Sequence, residues 1–182
     1  MNVIRTNIDD LVVFEPKVMG DKRGYFFESY NKNIHFDKGF DIEWIQDNEA
    51  YSEKGVLRGL HYQTYPQGQT KLVRVAHGEV LDVVVDIRKH SKTFGKSFSL
   101  ILSGTNKKQL LVPKGFAHGY VVLSPTAIFL YKVDNGYNPK NEEGIKYDDP
   151  VLRIDWILPE DEIILSEKDK TNPIFENHIP YQ

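Results

Sequence analysis

Apolar and polar residues alternate with a period of two through most of the middle of this chain, the spacing of strands with one packed face. Residues 71–77 (KLVRVAH) run into 79–87 (EVLDVVVDI), and Gly78-Glu79 between them predicts a hairpin. Residues 98–104 (FSLILSG) lead through the turn-rich GTNK to 108–113 (KQLLVP). Residues 116–124 (FAHGYVVLS) lead through Pro125 to 127–133 (AIFLYKV), and 135–144 (NGYNPKNEEG) reads as a polar loop. Strands recurring about every ten residues with short links predict an all-β sandwich or barrel rather than βαβ units. No stretch has the period and caps of a long helix. The segment 158–175 (LPEDEIILSEKDKTNPIF) predicts a short helix or irregular turns.

The alternation also sorts side chains by face. Lys71, Val73, Val75 and His77 share one face, as do Phe116, His118, Tyr120 and Val122, and Phe129, Tyr131 and Val133. In 57–63, Leu57, Gly59, His61 and Gln63 share a face and Arg58 points the other way. A packed interior with a few converging polar groups is the anatomy of a ligand pocket. A bulge at Gly59 would bring Arg58 to the same mouth.

Composition narrows the chemistry. The 182 residues predict one domain, 1–182, with an arm over about 1–50, a barrel core over about 51–155 and a tail over about 156–182. There is no Cys, which excludes a thiolate nucleophile and fits a reducing cytoplasm. The opening MNVIRTNIDD lacks a signal-peptide run, and no apolar stretch approaches a membrane span. A net charge of −3 argues against general nucleic-acid binding but leaves an anionic small ligand open.

His61 is then a candidate general base, since a neutral imidazole suits that role near neutral pH. A carboxylate on its other nitrogen would fix the tautomer, with Asp82, Asp86 and Asp169 as candidates. Lys71 is a candidate for holding a developing oxyanion, because an ammonium among Val73 and Val75 needs an anion or ligand. Tyr131 is a candidate acid for the opposite face. Arg23, Arg58 and Lys168 are candidates for gripping phosphate, because there is no Gly-rich phosphate loop. Gln46 and Asn48 offer amides for a base edge. PKGFAHGY (113–120) has the Pro-x-Gly-x-x-His pattern typical of cupin barrels. A metal-binding cupin needs a His-x-His pair, and the comparable stretch here is HYQ, so no metal site is expected.

The ordered series RGYFFE, QDN, LRGLHYQ, QTKLVRV, GEVLDVVVDIR, TFGK, PKGFAHGY, LYK, YNP and LSEKD resembles the dTDP-4-dehydrorhamnose 3,5-epimerase family over about residues 3–175. The resemblance implies a cupin jelly roll without a metal or other cofactor, working as a homodimer whose N-terminal arm reaches the neighbouring subunit's site. It implies inversion of C3 and C5 of dTDP-4-dehydro-6-deoxy-D-glucose. His61 would be the base, Asp169 its partner, Tyr131 the acid, and Lys71 and His118 would line the sugar site. Substrate binding would also fall to Arg23, Phe26, Glu28, Gln46, Asp47, Asn48, Arg58, Gln63, Tyr137, Glu142 and Lys168. Two alternatives stand beside this: a C3-only epimerase of a related nucleotide-linked keto sugar, and a non-catalytic cupin that binds a nucleotide sugar.

Overall fold

The computed structural model describes residues 1–182. Its strands are β1 (Asn2–Arg5), β2 (Val12–Glu15), β3 (Met19–Asp21), β4 (Gly24–Phe26), β5 (Gln46–Glu53), β6 (Leu57–Gln63), β7 (Lys71–His77), β8 (Glu79–Asp86), β9 (Ser97–Ser103), β10 (Gln109–Val112), β11 (Phe116–Val122), β12 (Thr126–Val133) and β13 (Glu142–Gly144). Two short helices, α1 (Lys32–Asp37) and α2 (Glu167–Lys170), and 3-10 turns at Glu160–Glu162 and Phe175–Asn177 complete it. One sheet has the order β1-β2-β10-β7-β12-β5 and faces a second with the order β13-β6-β11-β8-β9. This is the expected all-β cupin jelly roll.

The main core fills the space between the sheets. Val73, Val75, Leu110 and Phe129 meet Val80, Val84, Phe116 and Val122 there. The second sheet is buried on its outer face too, where Leu60, Tyr62, Val83, Val85 and Val121 lie under Ile145, Trp156 and Phe175. That explains why β8 and β11 are apolar almost throughout, since strands covered on both sides lose the wet face that produces alternation.

The hairpin expected at Gly78-Glu79 does not form: β7 and β8 lie in different sheets. Gly78, at φ 77°, turns the corner between them, and a Cβ there would stand 2.9 Å from Ala127 Cα. The chain crosses between sheets again from β9 to β10 and from β11 to β12. Turn residues mark where a chain reverses, but not which sheet receives the next strand.

The expected arm also divides differently. β1 and β2 extend the first sheet beside β10, and β5 is its far edge. Only the β3–β4 hairpin is a sheet of its own. It is tied back by Lys107, whose Nζ donates to Tyr25 Oη (2.7 Å) and sits 4.1 Å from the Tyr25 ring centroid.

Candidate active site

One feature of β6 decides how the site is assembled. Against β11, His61 pairs with His118 and Arg58 with Tyr120, so three steps on β6 oppose two on β11. The extra residue is a β-bulge at Gly59, which sits at φ 127°. A Cβ at Gly59 would stand 2.6 Å from Gly119 Cα and 2.7 Å from His118 O, so only glycine fits. The bulge changes the parity of the strand. Arg58 and His61 therefore both line one cavity, while Leu60 and Tyr62 pack on the opposite, outer face. Arg58 is held there by Ser52 on β5, whose Oγ accepts from its Nε (3.1 Å).

The cavity has a volume of about 510 Å³. The second sheet contributes Arg58, His61, His118 and Tyr120. The first contributes Ala50, Lys71, Phe129 and Tyr131 from the facing side, and the stretch 164–169 supplies Ile164, Leu165, Ser166, Lys168 and Asp169. Tyr120 and Phe129 stack at 4.1 Å and 11°, an apolar wall beside the polar groups.

His61 Nε2 is hydrogen-bonded to Asp169 Oδ1. The neutral ring therefore carries its proton on Nε2 and keeps the Nδ1 lone pair free. Asp169 is almost fully buried; burial raises its carboxyl pKa, but the bond to His61 and further bonds outweigh that, and the net shift is downward. Ser166 caps α2 and its Oγ accepts from Asp169 N (3.1 Å). The three candidate aspartates are thus separated. Asp169 serves His61, Asp82 bonds His118 Nε2 (2.9 Å), and Asp86 is occupied by Arg88, Ser91 and Thr93. Nowhere does the chain gather three His, Cys, Asp or Glu side chains into a metal-ligand cluster.

Burial pulls the Lys71 ammonium down to about 8, against the opposing pull of Asp82 and Glu142. Burial raises the Tyr131 hydroxyl above its ordinary value, so it holds its proton through neutral pH. Lys168 is ion-paired with Glu142, and Tyr137 Oη donates to Glu142 Oε2 (2.5 Å). Gln63 Oε1 accepts from Asn138 N (3.0 Å), so it braces the 135–141 loop instead of entering the cavity.

The remaining sequence candidates lie apart. Gln46 donates to Asn48 (2.7 Å) beside the pairing with Val133 and Tyr131, and neither lines this cavity. Asp47 points to the other face of β5, where Lys132 Nζ donates to both its oxygens at 2.8 Å; its neighbours in the alternation, not Asp47 itself, share the face of Tyr131. Arg23, Phe26 and Glu28 do not reach this chain's own cavity, and the Arg23 side chain is 85% exposed. Alternation had already put Tyr120 and Phe129 on the faces that line the cavity, whereas Ser52 and Ser166 were missed. Only Ser166 had a clear signal, since SEKD has the spacing of a capping serine with an acid three residues on.

Comparison with known proteins agrees with this geometry. The family model for dTDP-4-dehydrorhamnose 3,5-epimerase matches residues 5–177. The dTDP-4-dehydrorhamnose 3,5-epimerase of Shigella flexneri is 52% identical over 170 residues, 93% of each chain. Among solved structures, a dTDP-6-deoxy-D-glucose-3,5-epimerase from Legionella pneumophila in complex with dTDP-4-keto-L-rhamnose has a TM-score of 0.94 and 48% identity, covering 100% of this chain and 98% of that one. A 3'-monoepimerase from Streptomyces bikiniensis in complex with dTDP is more distant, with a TM-score of 0.86 and 31% identity over 93% and 85% of the two chains. With the model match spanning nearly all of it, the chain belongs to the dTDP-4-dehydrorhamnose 3,5-epimerase family.

Proposed function

We propose that this single-domain chain inverts C3 and C5 of dTDP-4-dehydro-6-deoxy-D-glucose, giving dTDP-4-dehydro-L-rhamnose, in the cytoplasm. The observation that carries the mechanism is the position of two groups on facing sheets. His61 with its aspartate projects from the second sheet, and Tyr131 and Lys71 project from the first into the same cavity. Hydrogens on C3 and C5 are acidic because both carbons flank the C4 ketone. His61 removes one, and the charge moves to the C4 oxygen. Asp169 stabilises the imidazolium that results, and Lys71 stabilises the oxyanion. Tyr131 returns a proton from the other face, which inverts the carbon. Solvent takes the proton from the imidazolium and returns one to the tyrosinate, and the ring then turns its second acidic carbon to the same pair.

Arg58 and Lys168 are the cations of this cavity suited to the diphosphate, with Tyr137 and Glu142 fixing Lys168. Gln46 and Asn48 offer amides for the base edge from β5, where Asn48 pairs with Tyr131. Arg23, Phe26 and Glu28 serve the site of a second copy, an assignment supported by their exposure in and just after the β3–β4 hairpin and by their absence from the lining of this chain's own cavity. Cross-linking or light scattering in solution should therefore report a dimer.

The reaction is tested by incubating the protein with dTDP-4-dehydro-6-deoxy-D-glucose in D₂O and following the sugar by NMR. Deuterium is expected at both C3 and C5. Label at C3 alone would favour the C3-only alternative, and no label would sink the assignment.

A pH dependence follows from Lys71. Its cationic form is the acid form, present below about 8 and lost above it. The oxyanion needs the cation, so kcat/KM of the free enzyme should fall as pH rises through about 8. Lys71→Arg, whose charge does not titrate in this range, should lose that limb even if its rate is lower. A limb that persisted unchanged in Lys71→Arg would assign it to another group.

A further inference from the structure

Asp169 stands on a helix too short to hold itself in place. α2 has four residues, and a helix of that length has no stability of its own. Its position is set by what anchors it at either end. Upstream, Ile164 bridges to Val56, its N donating to Gly55 O (2.8 Å) and its O accepting from Leu57 N (2.9 Å). Downstream, the chain runs along the outer face of the second sheet and is fastened repeatedly. Pro173 O accepts from Lys146 N (2.8 Å), Phe175 N donates to buried Asp149 (2.6 Å), and Ile179 N donates to Tyr62 Oη (3.2 Å). Tyr62 is the residue after His61. The last fastening is Tyr181, whose N donates to Ile87 O (2.8 Å) and whose O accepts from Lys89 N (2.9 Å).

The Tyr181 ring has a slot made for it. A Cβ at Gly115 would stand 2.9 Å from Tyr181 Cδ1, and one at Gly68 would stand 2.7 Å from Cε2. The ring alone bars a side chain at Gly68, and at Gly115 it does so together with Arg88 and a φ of 83°. The Tyr181 hydroxyl makes no hydrogen bond within the chain, so shape, not polarity, seats it.

We propose that residues 171–181 form a strap that positions Asp169 against His61, and that Tyr181 is its latch. The strap's hydrogen bonds to the rest of the chain go to Tyr62, Ile87, Lys89, Lys146, Asp149 and α2, and of these only α2 lines the cavity. Tyr181 is a positioning residue: it acts on the reaction by fixing the carboxylate that orients the base. This rests on the reading of His61 and Asp169 as base and partner. Loosening the strap lets Asp169 drift, which weakens the stabilisation of the imidazolium and frees the tautomer. Of the binding groups only Lys168 shares α2 with Asp169, and its ion pair with Glu142 holds it independently of the strap, so substrate binding is left nearly intact.

The test is steady-state kinetics on Tyr181→Ala, Tyr181→Phe, Asp169→Ala and Tyr181→Ala/Asp169→Ala, with ¹⁵N NMR of the His61 ring. Tyr181→Ala should lower kcat about tenfold or more with KM within twofold of the parent, and should move the His61 ring shifts toward those in Asp169→Ala. Tyr181→Phe should restore both. The double variant should be no slower than Asp169→Ala alone, since a latch for an absent carboxylate has nothing left to position. If Tyr181→Ala does not fold, Tyr62→Phe removes one strap bond while keeping the packed ring, and should lower kcat with the same shift change. Parental kcat and ring shifts in the variant that folds, or losses that multiply fully in the double variant, would overturn the proposal. Should Asp169→Ala itself keep full kcat, the parent reading fails instead. An impaired Asp169→Ala beside an unimpaired Tyr181→Ala would remove the strap alone.

Discussion

His61→Ala should lower kcat by about 10²–10⁴-fold, the usual contribution of a positioned general base. The chain should still fold, because His61 belongs to none of the buried apolar clusters and its side chain is 29% exposed to the cavity. The structural cost falls on Asp169, left buried without its main partner. An unpaired buried polar group costs about 1–3 kcal/mol, more when charged. For a chain of this size that is about 2–4 °C of Tm per kcal/mol. The variant should therefore melt cooperatively several degrees below the parent while having almost no activity. Kinetics and a thermal melt on one preparation check both halves. A variant that retained a tenth or more of the parental kcat would remove His61 from the role of base.

The second large effect is on the bulge. Gly59→Ala puts a methyl group against Gly119 Cα and His118 O, both backbone atoms of the neighbouring strand that cannot turn aside. It also asks alanine to adopt φ 127°. Backbone strain of this kind costs about 1–3 kcal/mol, and overpacking typically adds about 1–3 kcal/mol. A loss of about 2–6 kcal/mol is expected in urea denaturation, a large part of the stability of an ordinary domain. Whatever folds should also be a poor enzyme, because the same bulge sets Arg58 and His61 on one side. Stability within about 0.5 kcal/mol of the parent, an ordinary surface-substitution effect, would contradict this account of the strand.

Much of this site was legible in the chain. Period-two sorting put Lys71, His118 and Tyr131 on the faces that line the cavity, because β7, β11 and β12 are regular where those residues stand. Strict alternation turned Arg58 away from the cavity face, and the bulge expected at Gly59, which shifts parity, brings it back, as the pairing with β11 shows. The choice among Asp82, Asp86 and Asp169 was also closed to alternation. Asp169 meets His61 across 108 residues of sequence, through a helix held only by contacts at its ends. The hairpin at Gly78 failed because two sheets compete for each new strand, and local turn chemistry favours neither. Asp47 turns to the face opposite Asn48 and meets Lys132, because one step along a strand reverses a side chain, which the QDN motif by itself does not show.

The central claim is that base and acid address the substrate from facing sheets. Solvent exchange separates the two roles most directly. Tyr131→Phe should still exchange substrate hydrogen for deuterium in D₂O, since His61 can remove the proton and return deuterium to the same face, but it should not invert the carbon. His61→Ala should neither exchange nor invert. Inversion at the parental rate in Tyr131→Phe, or rapid exchange in His61→Ala, would contradict the account.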